Sequence, residues 1–116
     1  MIQYEPKNIH PVMNQKFDEI KLLFQGLYHE PFPSERGKET LGIDLVVLDC
    51  NLMGLASNYI GNHGVLNADE KILLRQYISE LNKILFLLEI TETKYFTQLH
   101  QLAISMLENI NQKRQV

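Results

Sequence analysis

Apolar residues recur at alternating spacings of four and three along four separate stretches of this chain, and no other feature constrains the fold as strongly. This spacing places side chains on one face of an α-helix. In the first stretch, 11–28, the stripe consists of Met13, Phe17, Ile20, Phe24 and Leu27. No segment shows the period of two that is typical of a strand. We therefore expect an all-α protein.

Prolines and glycines mark the ends of the first two helices. The segment 29–38 contains two prolines and a glycine and is predicted to be the one long loop. A second helix is expected at about 39–61, because Gly61 and Gly64 in the GNHG segment can adopt the left-handed conformation that ends a helix.

Capping residues mark the other two helices. Asn67 followed by Glu70 resembles a capping box, which predicts a third helix at about 68–88. Thr91 is expected to cap a fourth helix at about 92–111. Because most connections are short, we expect residues 1–116 to form one domain, an antiparallel four-helix bundle.

The second helix differs from the others because it is apolar on two faces. Its leucine stripe is centred on Leu41 and Tyr59. The residues of the second face are apolar and in part small: Ile43, Val46, Val47, Cys50, Gly54, Ser57 and Gly61. A helix with two apolar faces is expected to bury both. Helix two should therefore be central in the bundle or lie at a symmetric dimer interface.

A polar seam of Asp44, Asn51 and Asn58, spaced seven apart, separates the two faces, and Asp49 stands alone on the other flank. Three interpretations stay open: the seam faces solvent, contacts a second subunit, or anchors a partner or ligand by hydrogen bonds. For Asp49, an internal hydrogen bond to a loop N–H or to a tyrosine hydroxyl is an equal alternative.

We find no set of residues that predicts catalysis or cofactor binding. The four histidines, at 10, 29, 63 and 100, have no second His or Cys at metal-ligand spacing, so no metal is expected. Cys50 lies among apolar residues, which predicts a packed and inert thiol. Asp44 and Asp49 diverge by about 140° on a helix and cannot act as one acid–base pair. The protein is expected not to be an enzyme.

The charge distribution limits the classes of partner. Eleven basic residues, none of them clustered, stand against 14 acidic residues, for a net charge of −3. A nucleic-acid partner is therefore not expected, since phosphates require a concentrated positive surface. No apolar run reaches the ~18 residues of a membrane span. With a single cysteine and hence no internal disulfide, we expect a cytoplasmic protein.

These observations favour a protein-interaction module that binds a protein partner, or a second copy of itself, through the seam. In size, acidity and helix count the chain resembles the small helical immunity proteins of bacteria, which neutralise nuclease toxins; this resemblance implies a toxin-like partner. The alternative is a small-ligand-binding or regulatory domain with a pocket between helix two and the long loop. The candidate residues are Asp44, Asp49, Asn51, Asn58, His63 in the GNHG turn, and Phe32, which either lies over the bundle as a lid or protrudes as a contact.

Overall fold

The computed structural model describes residues 11–115, and it describes side chains for residues 15–112. The protein is all-α, as the sequence predicts, and four helices carry most of the described chain. Helices α1 to α4 span Pro11–Tyr28, Leu45–Gly61, Ala68–Ile84 and Ile90–Gln115. His10 and both ends of the predicted domain 1–116 lie outside the described residues.

A short hairpin occupies the segment that was expected to start helix two, so the predicted start at about 39 is wrong. Strands β1 (Glu39–Thr40) and β2 (Ile43–Asp44) pair in antiparallel fashion. Between them, Leu41 and Gly42 have φ angles of 52° and 77°, as in a type I′ turn. The expectation that no strand would form fails here as well, because strands of two residues are too short to show alternation.

Helix α2 begins at Leu45 because Asp44 caps it. The backbone of Asp44 is extended, and its carboxylate accepts a hydrogen bond of 3.0 Å from the N–H of Val47. This bond satisfies an N–H that has no partner within the helix. Asp44 therefore lies outside the helix, and the predicted seam does not run along a single helical face.

The GNHG segment ends α2 as predicted, but the residue that takes the left-handed conformation at the end of the helix is not the expected glycine. The N–H of Gly64 donates to the carbonyl of Tyr59 at 2.7 Å, and the N–H of His63 donates to the carbonyl of Ile60 at 3.1 Å. These two bonds define a Schellman motif. Its left-handed residue is His63, with φ of 56°.

The start of α3 confirms the predicted capping box. Asn67 accepts a hydrogen bond from the N–H of Glu70 at 2.8 Å, and Glu70 accepts one from the N–H of Asn67 at 2.9 Å. The end of α3 was predicted four residues too late. The helix stops at Ile84 and continues as a 3₁₀ turn over Leu85–Leu87.

Helix α4 begins at Ile90, before the predicted cap Thr91. Glu92 supplies a cap instead, since its Oε1 accepts a hydrogen bond of 3.1 Å from the N–H of Glu89. The sequence alone favoured threonine, because a threonine cap is more common than a glutamate that reaches back to the preceding turn.

The apolar stripes form a single core around α2 and α4, each of which packs against the other three helices. In α4 the whole predicted stripe is buried: Tyr95, Phe96, Leu99, Leu102, Ala103, Met106 and Ile110. In α2 the leucine stripe from Leu45 to Tyr59 is buried, whereas Leu41, predicted as its first member, is 66% exposed at the hairpin turn.

Candidate functional site

The second apolar face of α2 is not buried within this chain, contrary to expectation. Cys50, Gly54 and Ser57 are exposed, which also corrects the prediction of a packed Cys50 thiol. A Cβ atom added at Gly54 would meet nothing within 4 Å. Close packing of a helix of the same chain therefore does not explain this glycine.

The small residues of this face line a cleft of about 420 Å³. Its other walls come from the end of α1, the loop that follows α1, and α4. The lining residues are Phe24, Leu27, Tyr28, Glu30, Phe32, Asp49, Cys50, Met53, Gly54, Ser57 and Tyr95. A concave, mainly apolar surface with a few polar groups is typical of ligand-binding sites.

Asp49 and Tyr95 supply the central polar contact of the cleft. The Tyr95 hydroxyl donates a hydrogen bond of 2.7 Å to Asp49 Oδ1, which is one of the alternatives that the sequence left open. Burial raises the pKa of Asp49 above its ordinary value, and the bond from Tyr95 partly opposes this rise. The pKa of Tyr95 is raised by burial and by the hydrogen bond to the carboxylate. In this bond the phenol hydroxyl is the donor and the Asp49 carboxyl oxygen is the acceptor.

Phe32 lies over the bundle as a lid and does not protrude. Its ring makes edge-to-face contacts with Tyr95 and Phe96, with centroid distances of 5.7 and 5.8 Å. Such pairs contribute about 0.5–1.5 kcal/mol beyond the area that they bury. Phe32 thus attaches the long loop to α4 and forms one wall of the cleft.

A charged cluster holds the same loop further along. Lys38 Nζ lies 2.7 Å from Glu92 Oε2 and 3.5 Å from Glu89 Oε2, and the Ser34 hydroxyl donates to Glu92. We call Ser34, Lys38 and Glu92 the loop latch. Burial acts to raise the pKa of Glu92, but the hydrogen bonds from Lys38, Ser34 and the N–H of Glu89 outweigh it and lower that pKa.

The charges at the cleft are unbalanced. Among the described residues that line the cleft, Asp49 and Glu30 are the carboxylates, and none is Lys, Arg or His. Within the described part of the chain, neither carboxylate forms a salt bridge. Glu30 lies close enough to Tyr95 for its charge to raise the tyrosine pKa. The cleft thus has an apolar interior and a net negative charge.

Two of the other candidate residues meet at a second, smaller groove. Asp44 and Asn51 line a groove of about 330 Å³ between the hairpin, α2 and α3. Its remaining lining residues are Gly42, Ile43, Val47, Leu48, Leu73, Gln76, Tyr77 and Glu80. We call it the hairpin groove. The carboxylate of Asp44 already accepts a hydrogen bond as a helix cap, while Asn51 and Gln76 are exposed amides on this surface.

The six candidate residues thus separate into three groups. Phe32 and Asp49 line the cleft, while Asp44 and Asn51 line the hairpin groove. Asn58 and His63 are exposed and line neither. The sequence did not identify these residues of the cleft as candidates: Tyr28, Glu30, Cys50, Met53, Gly54, Ser57 and Tyr95. A signal for three of these was present, since Cys50, Gly54 and Ser57 formed the unusual small face of helix two.

No protein-family model, curated protein or solved structure matches this chain. Within residues 11–115, no group of three or more His, Cys, Asp and Glu residues is arranged to hold a metal ion. In the same range, no helix combines the length and the apolar character that crossing a membrane requires. The cleft is therefore the feature of this chain that bears on its function.

Proposed function

We propose that this protein is a non-enzymatic binding protein, and that a small ligand occupies the cleft over the small-residue face of α2. One observation carries the proposal: a concave space of about 420 Å³ on the chain's surface. Small-molecule sites have volumes of roughly 300–1,000 Å³ and are mainly apolar with a few polar groups that orient the ligand. Asp49, Glu30 and Ser57 are such groups.

The polar groups in the cleft support binding rather than catalysis. Among the described residues that line the cleft, Cys50 and Ser57 are of nucleophile type, and none is a histidine. Asp49 already accepts a hydrogen bond from Tyr95. An activated nucleophile requires a base within hydrogen-bond reach.

Gly54 allows the cleft to be blocked without loss of fold. In the Gly54→Leu variant, a side chain would extend from a position where a Cβ meets nothing within 4 Å, and replacing a helical glycine stabilises the helix by up to ~1 kcal/mol. Gly26→Leu is the matched control, because Gly26 is helical, exposed and equally free of neighbours but does not line the cleft.

The test is a fragment library screened by ¹⁵N NMR against the wild type and both variants. We expect fragments to shift the amide signals of Asp49, Cys50, Met53 and Tyr95 in the wild type and in Gly26→Leu, and not in Gly54→Leu. Binding fragments should also slow the alkylation of Cys50, the chain's single cysteine. Fragments that bind elsewhere, or that bind Gly54→Leu equally well, would contradict the proposal.

A second candidate function is the protein-interaction module predicted from the sequence. The observation that favours it is Leu41, a bulky apolar residue that is 66% exposed at a positive φ beside the hairpin groove. Exposed apolar residues beside polar groups are common at protein interfaces. A partner captured at low salt should be lost with Asn51→Lys and retained with Gly54→Leu. The reverse pattern would assign the partner to the cleft.

The finer structural and cellular predictions belong to the same proposal. We take the four helices to form an antiparallel bundle, supported by the short connections between α2, α3 and α4. A cytoplasmic protein without nucleic-acid or membrane partners remains the expectation, supported by the net charge of −3. A homodimer through Cys50, Gly54 and Ser57 would cover the cleft, and sedimentation at high concentration tests it.

A further inference from the structure

We propose that the ligand of the cleft is a small organic cation, a primary amine or quaternary ammonium attached to an apolar, preferably aromatic, body. This inference rests on the proposed function, because it specifies the ligand of that same cleft. It is carried by the unpaired carboxylates, by the aromatic walls and by the shape of the space.

Within residues 11–115, the carboxylate of Asp49 forms no salt bridge and has no positive partner. Oδ1 accepts a hydrogen bond from the neutral Tyr95 hydroxyl, and within residues 11–115 no hydrogen bond or salt bridge reaches Oδ2. A half-buried carboxylate with one neutral donor is incompletely compensated for the loss of water. An ammonium group at Oδ2 would supply the missing charge.

The aromatic walls fit the same ligand. Phe24 and Tyr28 stack on α1 with centroids 6.0 Å apart, and Phe32 and Tyr95 meet edge to face at 5.7 Å. The faces of aromatic rings attract cations as well as apolar groups, and quaternary ammonium sites are built from such rings. An anion would meet the carboxylates of Asp49 and Glu30, so we expect anionic ligands not to bind.

The size of the space favours a free small molecule over a single basic side chain of a protein. The volume of about 420 Å³ exceeds that of one lysine or arginine side chain, and the apolar residues Leu27 and Met53 extend the lining beyond the carboxylates. A bare metal ion would use only the carboxylate oxygens and leave this apolar surface unoccupied. An amine with an aromatic body would contact both parts.

The test compares ligands of similar shape and different charge. NMR titrations would give the dissociation constants of phenethylamine, 2-phenylethanol and phenylacetate for the wild type, Asp49→Asn, Gly54→Leu and Gly26→Leu. In Asp49→Asn the amide oxygen can still accept the Tyr95 hydrogen bond, so only the charge is removed. We expect the amine to bind at least about tenfold more tightly than the alcohol, as one charge-assisted hydrogen bond allows. Asp49→Asn should weaken this preference, and Asp49→Asn combined with Glu30→Gln, which removes both carboxylates of the cleft, should reduce it to near unity.

The outcomes separate the two proposals. If the alcohol binds the wild type as tightly as the amine, or if the variant that lacks both carboxylates retains the preference, the cation inference is wrong while the cleft remains a binding site. If all three ligands bind Gly54→Leu as well as Gly26→Leu, or none binds the wild type, the proposed function fails as well. Nα-acetyl-lysine amide, which keeps the side-chain ammonium group of lysine, should bind more weakly than phenethylamine. Tighter binding of the lysine compound would indicate that the cleft binds a basic side chain of a protein partner. It would overturn the proposal that the ligand is a free small molecule.

Discussion

Tyr95 of α4 donates a hydrogen bond of 2.7 Å to Asp49 of α2, and this bond joins two core helices at the cleft. The sequence displayed the two residues separately: Tyr95 belongs to an apolar stripe, whereas Asp49 belongs to no pattern. Their contact places a carboxylate in a largely apolar site, where its interactions are stronger than in water. The stability of the fold and the chemistry of the cleft therefore depend on the same pair.

Removal of the Tyr95 hydroxyl should destabilise the protein. In Tyr95→Phe, the carboxylate of Asp49 loses its donor, and we expect the free energy of unfolding at pH 7 to fall by about 2 kcal/mol. Urea unfolding measures the change. Tyr77→Phe is the control, since Tyr77 is half-buried and donates no hydrogen bond to a described residue. Equal losses in the two variants would show that the Asp49 bond contributes little.

The loop latch predicts a specific dependence of stability on pH. Because the folded-state pKa of Glu92 lies below its ordinary value of 4.5, its contribution is fully present above that value and is lost as the pH falls through the lowered pKa. Glu92→Gln should cost about 2 kcal/mol at pH 7, and the difference from the wild type should shrink as the pH is lowered toward 3.

Thermal unfolding at a series of pH values checks this prediction. Glu108→Gln is the control, because Glu108 forms an exposed pair with Lys16 at 3.2 Å, and exposed pairs contribute little. If the difference in the free energy of unfolding between Glu92→Gln and the wild type stays constant down to pH 3, the role assigned to the Glu92 charge is contradicted.

Phe32 should anchor the long loop. Phe32→Ala removes a half-buried ring from Tyr95 and Phe96, and we expect a loss of about 2 kcal/mol, less than for a fully buried phenylalanine. Hydrogen exchange should also become faster in residues 29–38. Phe86→Ala provides the comparison, since Phe86 is 94% exposed and its loss should change little. Unchanged exchange in the loop would show that the latch alone holds it.

The buried pair of Tyr59 and Asn109 should show energetic coupling. Asn109 Nδ2 donates to the Tyr59 hydroxyl at 2.6 Å, while Asn109 Oδ1 is buried and has no hydrogen-bond partner among the described residues. Tyr59→Phe leaves the amide wholly unpaired and should cost about 1–2 kcal/mol. In Tyr59→Phe/Asn109→Leu both polar groups are gone, and the double variant should recover most of that loss. Additive losses in a double-mutant cycle would contradict this account.

The hairpin turn offers a stabilising substitution. Leu41 has a φ of 52° and is 66% exposed, so its backbone is strained and its side chain gains little from packing. Leu41→Asn should raise the free energy of unfolding by about 1 kcal/mol, because Asn-Gly is the preferred type I′ pair. Leu22→Asn is matched for exposure, at 68%, but lies within α1, where asparagine should destabilise slightly.

The polar residues of helix two show where inference from the sequence fails. Asp44, Asn51 and Asn58 share a spacing of seven, and this spacing has meaning only if one helix contains all three. The hairpin removes Asp44 from the helix and gives it a capping role, which no period reveals. Asn51 and Asn58 remain on the surface, and neither lines the cleft.

The local sequence by itself determined the helical class, the stripes that form the core, the capping box of Asn67 and Glu70, and the end of α2. These features depend on residues within about one turn of each other, where spacing and backbone preference decide the outcome. The sequence also identified the second face of helix two as unusual, but it predicted wrongly that this face would be buried.

Only the tertiary structure decided what lies over that face. Phe24, Phe32, Asp49 and Tyr95 come from three helices and a loop, and the cleft exists because core packing brings them together. The loop latch and the pairing of Asp49 with Tyr95 likewise depend on contacts between residues far apart in the chain. Such contacts form when the whole core excludes water, and no periodicity along the sequence records them.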